Sequence, residues 1–417
     1  MLRFFSLYIL LTITVSGQSQ SNLTLAQCEA KFLKNNLSLL AEQYNIDAAK
    51  ALTIQAKLWD NPIIGAELNA YNPQTKSSFD IGAHGQKSLA IQQLVYLGGK
   101  KTKQIEIAKL NEKFASLEFQ ELLRNLKFEL RQTFYNIYFN KEKLISSNLQ
   151  ISNLDTLVNS YAIQSGKGNV PIKDYVRLQA LLIDLKNQKM DLLKANVALQ
   201  SNLNLLLGDS SVFEPSVEKT YLNKYLTTAT FNVFELEQLA ILQRPDFEIS
   251  NKQIQNNELN LGLQKALRVP DVNIGSSWDQ HGGAFNNQIN LTLGIALPIW
   301  NKNQGNIKYA EALTSQSKID HIATTFKLNA EVQAAFKNWQ DVVENYKQLN
   351  GANVESYDSV YFGILNNFKK GNITILDFTD FVESYNMLRL HLNELKQNIV
   401  VTAEQINTVV NKDVFKN

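Results

Sequence analysis

The 417-residue sequence has one cysteine, seven prolines, no excess of charge of either sign and, beyond its first residues, no apolar run long enough for a membrane-spanning helix, which needs about 18 residues. A single Cys28 excludes an internal disulfide framework and a Cys-rich zinc site. Within LTLAQCEA its helical spacing reads as a buried small apolar residue rather than a reactive thiol. The 41 Lys and Arg residues against 39 Asp and Glu leave no basic stripe to displace counterions from phosphates, which excludes a nucleic-acid partner. GxSxG, phosphate-loop and HExxH patterns are missing, so no enzyme and no cofactor is expected. His84, His281, His321 and His391 show none of the short-range spacings of zinc ligands, and no metal site is assigned to them. Glycine and proline are absent from long stretches: neither occurs between Gly99 and Gly166, and no proline follows Pro298. If the chain enters a membrane after its first residues, it does so with strands.

Residues 1–17, MLRFFSLYILLTITVSG, have one Arg, an apolar stretch and small residues at Ser16 and Gly17, the layout of a secretory signal peptide; an uncleaved anchor is the alternative. Cleavage removes Arg3 alone, so the mature charge is (41 − 1) − 39 = +1. No Cys stands at the cleavage point to carry a lipid anchor.

Two kinds of segment follow. From Lys100 to Ser165 apolar residues recur at steps of three and four: Ala115, Phe119, Leu122, Leu126, Leu130, Phe134 and Ile137. Such a helix of about 60 residues is roughly 90 Å long. Phe378, Val382, Tyr385, Leu388, Leu392, Leu395, Ile399, Ala403, Ile406 and Val410 repeat the pattern near the C-terminus, which predicts coiled-coil-like packing of long helices. Residues 24–58, 172–207, 233–268 and 303–365 read as further helices, some open to interruption. Between helices the period is two. Ile289, Leu291, Leu293, Ile295, Leu297 and Ile299 alternate with Asn290, Thr292, Gly294 and Ala296, and Val272–Trp278 pairs with this strand through a loop from His281 to Asn287. Ile64–Ala70 and Phe79–Val95 form an earlier hairpin. A soluble half-buried sheet is one reading. The strand length of about ten residues, and the lack of a globular body to cover the sheet, favour a bilayer crossing. Four strands cannot close a barrel and open edges are not tolerated in lipid, so copies would combine, giving 8 strands in a dimer or 12 in a trimer.

The sequence repeats itself. KGNVPIKDY (167–175) matches KGNITILDF (370–378) at an offset of 370 − 167 = 203 residues. NPIIGAELN from Asn61 pairs with VPDVNIGSSW from Val269, and the turn Gly98, Gly99, Lys100, Lys101 pairs with Asn301–Gly305. The organisation read from this is a signal peptide (1–17), a first repeat (18–210), a linker or equatorial segment (211–232) and a second repeat (233–417), each repeat being helix, strand hairpin, long helix, tight turn and helix.

LTLAQCEA, IQQLVYLGGKK, ILQRPDFEISNKQI, IALPIWNKNQGNI and the paired KGN turns, in this order and duplicated, resemble the TolC-like outer-membrane factor family over nearly the whole mature chain. The run PIWNKNQG is similar to the branch that serves heavy-metal efflux, the cobalt-zinc-cadmium and copper systems. The resemblance implies a mostly α fold with a β-barrel contribution: a homotrimer whose 12 strands form an outer-membrane barrel and whose long helices form a periplasmic α-barrel. It further implies a passive exit duct working with a periplasmic adaptor and a proton-driven inner-membrane pump, for heavy-metal cations or alternatively for drugs or type I secretion substrates. A periplasmic adaptor and a non-transport coiled-coil scaffold are the readings from other classes.

Asp377 and Asp380 lie three apart on one helix face and match the family's acidic aperture positions, which in a trimer would form two carboxylate rings; capping of the first helical turn is the other role open to Asp377. Asp174 holds the repeat-equivalent place, with the stronger claim to capping. An Arg that the resemblance implies near Ile373 is replaced by that Ile. Lys167, Gly168, Asn169 and Val170, with Lys370, Gly371, Asn372 and Ile373, are expected at the tips that meet the adaptor, and they also serve as helix punctuation. Pro62, Gly98, Gly99, Pro270, Pro298, Asn303 and Gly305 are expected where barrel passes into helix.

Overall fold

A computed structural model describes residues 21–83, 85–218, 220–226, 232–350 and 356–415. The expected signal peptide and His84 lie outside the described residues. In chain order the elements are β1 (Ser21–Leu23), α1 (Leu25–Asn35), α2 (Leu37–Lys57), β2 (Ile63–Leu68), β3 (Tyr71–Asn72), β4 (Ser77–Ser78), β5 (Gln86–Val95), α3 (Lys100–Gly166), α4 (Ile172–Leu207), β6 (Phe213–Pro215) and α5 (Asn223–Leu226), then α6 (Val233–Gln243), α7 (Pro245–Ala266), β7 (Val272–His281), β8 (Phe285–Ile295), α8 (Gln304–Asn350), α9 (Ser356–Lys369) and α10 (Ile375–Val409). They divide into two compact units: unit 1 from Met1–Leu37, Arg124–Val233 and Gln333–Asn417, and unit 2 from Ser38–Leu123 and Phe234–Val332. Each of the two halves read from the sequence contributes to both.

The helix interruptions have local causes. Thr24 starts α1 with a capping box: its hydroxyl accepts from Gln27 N–H at 3.3 Å and its own N–H donates to Gln27 Oε1 at 2.9 Å. The helix stops at Asn36, which is extended and whose buried amide donates to Leu206 O at 2.9 Å, capping the last turn of α4. There α4 ends on Gly208 (φ +59°), where a Cβ would lie 2.5 Å from Asn35 O, so only glycine allows the two helix ends to meet. The break between α6 and α7 falls at Arg244, held extended before Pro245.

In unit 1 the C-terminal stripe is buried at Phe378, Val382, Tyr385, Leu392, Ile399, Ala403, Ile406 and Val410, while Leu388 and Leu395 of the same stripe are only half-buried. Around residues 130–140, α3 is enclosed on most sides, because the two short strands β1 and β6 pair in parallel there and Tyr225 of α5 packs against Tyr135. This enclosure buries Arg131. Its Nε donates to Glu29 Oε1 at 2.6 Å, and its Nη1 to Glu404 Oε2 at 2.7 Å and Asp413 Oδ1 at 2.6 Å. Tyr225 OH donates to the other Glu404 oxygen at 2.6 Å, and Trp339 Nε1 to Tyr225 O at 3.1 Å. Burial, then the charge of Glu404, pushes the Tyr225 phenol far above its ordinary range, so it stays a donor.

In unit 2, α2, α7 and the adjoining parts of α3 and α8 meet through small and polar residues, among them buried Ala310, Thr314 and Ser317 and the bond from Thr53 Oγ1 to Ala108 O at 3.2 Å. The sheet differs from expectation at its ends. Residues 79–83 and Gly85 lie outside any strand, since Phe79 takes φ +51° and Asp80 O accepts from Gln86 N–H at 3.1 Å. The hairpin loop is tighter than expected, with His281 directly opposite Phe285. Strand β8 begins four residues earlier than the alternation suggested and stops at Ile295, because Pro298 has no N–H for a ladder.

Replacing Arg131 by Met should leave the Glu404 carboxylate, 3% exposed, without its cation and destabilise the chain by about 3–5 kcal/mol in denaturant titrations. Adding Glu404→Gln should recover part of the loss; a single variant as stable as the parent would contradict this account.

Candidate functional site: a two-faced sheet and a duplicated helix turn

Unit 2 holds one four-stranded antiparallel sheet in the order β2-β5-β7-β8. Directly paired residues share a face, so the register sorts every side chain. The rows Ile64–Ile91–Ser276–Leu291 and Ala66–Leu89–Trp278–Ile289, with Ile274–Leu293 and Val272–Ile295, fall on one face. Ser88, Ala90 and Gln92, with Asn273, Gly275, Ser277, Asp279, Asn290, Thr292 and Gly294, fall on the other. The apolar face is open: Ile289, Leu291 and Leu293 are 74%, 87% and 70% exposed. The polar face is crowded at its centre. A Cβ on Gly275 would stand 2.6 Å from Thr292 Oγ1 and 2.8 Å from Ile91 O. Toward its outer row Asp279 Oδ2 accepts from Ser277 Oγ at 2.7 Å and Asn290 Nδ2 at 2.5 Å.

The strand-to-helix passages are where the punctuation predicts, and they are built from more than the expected residues. Gly98 and Gly99 take φ +70° and +72°, and Gly98 presses so closely on Val269 that a Cβ would lie 2.9 Å from it. Lys100, 3% exposed, donates to Val269 O and Asp271 Oδ1, both at 2.6 Å, and Asp271 also accepts from Leu97 N–H at 3.1 Å. This lysine and aspartate fasten the start of α3 to the segment after Pro270. Sequence reading missed their pairing, since 171 residues separate them. At the second passage Asn303 takes φ +57° and its amide donates to Gln264 O at 2.8 Å. Pro62 and Gly305 are exposed and Pro298 half-buried.

The two KGN turns lie in unit 1 and have the same backbone. Gly168 takes φ +75° and Gly371 φ +76°. Gly168 N–H bonds Ser165 O at 3.0 Å and Asn169 N–H bonds Gln164 O at 2.9 Å; Gly371 N–H bonds Phe368 O and Asn372 N–H bonds Asn367 O, each at 3.0 Å. Both are Schellman motifs. The helices that follow start differently. Pro171 precedes α4 without a side-chain cap, whereas Thr374 caps α10, accepting from Asp377 N–H at 3.2 Å and donating to Asp377 Oδ2 at 2.6 Å. The capping role expected more strongly of Asp174 is not filled by it: α4 starts at Pro171 without a side-chain cap, and at α10 Thr374 is the cap, with Asp377 accepting from its hydroxyl. Asp377 and Asp380 are both exposed, and among the described residues Asp380 makes no hydrogen bond or ion pair.

A groove of about 660 Å³ runs between the turns, lined by Tyr161, Asp174, Arg177, Gly371, Ile373 and Ile375 among others. It brings Asp174 and Ile373 together and leaves Lys167, Gly168, Asn169, Asp377 and Asp380 outside its lining. Burial, and secondarily the charge of Asp174, raises the Tyr161 phenol. Arg177, which sequence reading did not select, supplies a cation in the groove that Ile373 lines. Its spacing three residues after Asp174 was the available signal. Beneath the groove, Phe368 stacks on Phe378 at 4.1 Å and Tyr361 on Tyr385 at 4.6 Å.

The described histidines are dispersed. His281 ends β7, His321 Nδ1 lies 2.8 Å from Ser250 Oγ, and His391 is exposed. Among the described residues no group of three His, Cys, Asp or Glu is arranged to hold a metal ion, and no helix is long and apolar enough to cross a membrane.

Residues 236–412, which include the hairpin β7–β8 and the second turn, match the family described as outer membrane efflux protein. This stretch belongs to the outer membrane efflux proteins. Their members are channels and not enzymes. The cobalt-zinc-cadmium resistance protein CzcC of Cupriavidus metallidurans is 20% identical over 351 residues, 83% of this chain and 80% of that protein. Crystal structures of CusC, described in connection with transmembrane channel formation, align with a TM-score of 0.75 at 16% identity, covering 93% of this chain and 91% of CusC. The outer membrane protein VceC from Vibrio cholerae aligns with a TM-score of 0.72 at 15% identity, covering 93% and 96%. At these identities the structural likeness establishes the fold alone, over nearly the whole chain.

Within the sheet, Gly275→Ala should cost about 1–3 kcal/mol from overpacking. Gly294→Ala, whose nearest neighbouring atom would be 3.7 Å away, should be tolerated. Thermal midpoints in detergent test the contrast, and equal midpoints would refute the crowding at Gly275.

Proposed function

We propose that the chain is the outer-membrane exit duct of a tripartite efflux system, passively conducting substrate delivered by a proton-driven inner-membrane pump through a periplasmic adaptor. The observation that carries this reading is the two-faced sheet. Four strands with an open apolar face and a small, amide-rich face suit a wall between lipid and water. Its edge strands β2 and β8 each have one neighbour, and lipid tolerates no open edge, so further copies must supply the missing pairing. Three copies of four strands give a 12-stranded barrel, the homotrimer that the family resemblance implies. Large apolar side chains left open on the helices, among them Leu37, Tyr44, Val197 and Phe326, all at least 71% exposed, support burial against neighbouring copies. Exposed Trp59 and Trp300 suit the boundary with lipid headgroups.

In this reading residues 18–210 and 233–417 are two structural repeats joined by 211–232, and 1–17 is removed on export. The turns at 167–170 and 370–373, with the groove between them, meet the adaptor. Asp377 and Asp380 form carboxylate rings at the aperture, with Asp174 close by, and the rings attract cations. Heavy-metal cations are the proposed cargo. The name of the relative CzcC supports this, and so does the polar face of the sheet, whose charged residues are the acids Glu67 and Asp279 in a single row across Ser88. A multidrug or type I secretion duct is the competing reading of the same architecture.

Outer-membrane fractions should contain a trimer that dissociates only on heating, and that species should conduct in planar bilayers. A monomeric soluble protein would sink the proposal. Joint Asp377→Ala and Asp380→Ala substitution should raise single-channel conductance severalfold and lower the cation-to-anion permeability ratio. Unchanged values would remove both residues from the aperture. Deleting the gene should sensitise cells to cobalt, zinc or cadmium; sensitivity confined to drugs would reassign the cargo.

A further inference from the structure

A small cavity of about 10 Å³ in unit 1 lies between α3, α4 and α10, lined by Lys143, Ser146 and Ser147, by Gln188 and Leu192, and by four residues of α10 that include Asn386 and Arg389. Three observations make it a site rather than a packing defect. Ser147 is 7% exposed and its hydroxyl oxygen is buried with no hydrogen-bond partner. Arg389 Nε is likewise buried and unpartnered, although the same guanidinium reaches Asp358 through Nη1 at 3.3 Å. Lys143, 12% exposed at its side chain, has only long contacts, 3.6 Å to Glu394 and 3.5 Å to Gln397. An unmet N–H of a charged group in such a place costs more than a neutral one, and native interiors rarely leave it so.

The lining chemistry selects the sign of the guest. Two cations and two hydroxyls border the cavity, and no carboxylate does. Glu394 and Asp358 approach the cations from outside the lining. Ser146 Oγ accepts from Gln150 Nε2 at 3.4 Å, which leaves its own proton to donate. The amide of Asn386 donates to Gln188 Oε1 at 2.7 Å and closes one wall between α4 and α10. Volume limits the guest to one atom-sized species.

We propose that this cavity binds a single chloride ion, held by Ser147 Oγ–H, Arg389 Nε–H and Lys143 Nζ, which fastens α3, α4 and α10 to one another. A guest that accepts from every donor and donates to none fits a lining rich in charged donors. A water molecule is the competing occupant.

The full chain in detergent, held at constant ionic strength, should melt at a higher temperature in chloride or bromide than in gluconate, an anion too large for the cavity. Ser147→Ala should raise the halide concentration for half-maximal stabilisation by roughly tenfold, the loss of one hydrogen bond to a charged partner. Arg389→Lys keeps the charge but lacks the Nε–H and should weaken the halide effect similarly. Crystals grown in bromide should show an anomalous peak within hydrogen-bond distance of Ser147 Oγ and Arg389 Nε. A halide-independent melting temperature, or density at the site with no anomalous signal from bromide, would assign it to water and overturn the proposal. The crystallographic readout needs only the wild-type chain, so it stands even if a variant fails to fold.

Discussion

Arg131 is the group on which unit 1 depends. A guanidinium taken out of water is tolerable only when its donors are all met. Here the partners come from the start, the far end and the last residues of the described chain: Glu29, Glu404 and Asp413. Burial alone would lower the tendency of the side chain to stay charged, but the hydrogen bonds it donates to Asp413 and the fields of Glu404 and Glu29 outweigh it and hold the proton more firmly than usual. Because Glu404 also receives the Tyr225 hydroxyl, and the Tyr225 carbonyl receives the Trp339 indole, one charge organises α1, α3, α5, α8 and α10 together. None of these partners can be exchanged alone, which makes the arrangement a specification of the fold as much as a source of stability.

Unit 2 solves a different problem with different means. Its helices bury alanine, threonine and serine alongside a few aliphatic residues such as Ile46, Leu117 and Leu328, and its sheet keeps one face bare, so the described chain leaves much apolar surface in the open. The places that must be rigid are the passages between strand and helix. There the positive φ of Gly98, Gly99 and Asn303 sets the direction of the chain, and the buried Lys100–Asp271 pair fixes it.

How far the sequence could be read depended on the range of each interaction. The α10 stripe and the β8 alternation are periodic, and periodicity survives whatever the neighbours are: eight of the ten stripe residues are buried, with Leu388 and Leu395 half-buried, and the alternating residues of β8 fall on opposite faces although the strand itself ends at Ile295. Backbone punctuation was equally legible, since Gly168 and Gly371 must adopt angles that other residues avoid. The tip cap was also readable in principle: Thr374 and Asp377 stand in the Ser/Thr-x-x-acid spacing of a capping box, as Thr24 and Gln27 do in the related Thr-x-x-Gln form. What stayed hidden was non-local or very short. The three-residue pairing of β1 with β6 carries no pattern. The strand break after Ser78 is set by contacts such as the bond from the Asn72 amide to Asp80 Oδ2 at 3.2 Å. Arg131 looks in sequence like any solvent-facing arginine on a helix.

The duplicated KGN turns have one more consequence. Both copies keep the same glycine-dependent reversal, yet only the second is followed by a hydroxyl that ties down its first helical turn, while the first relies on the stiffness of Pro171. Both turns depend on the positive φ of their glycine, but the entry after the first is held by a proline ring and the entry after the second by the Thr374 hydroxyl, so loss of that hydroxyl loosens only the second. The two copies therefore respond to different substitutions, so mutation can retune one helix entry while the other keeps its original form.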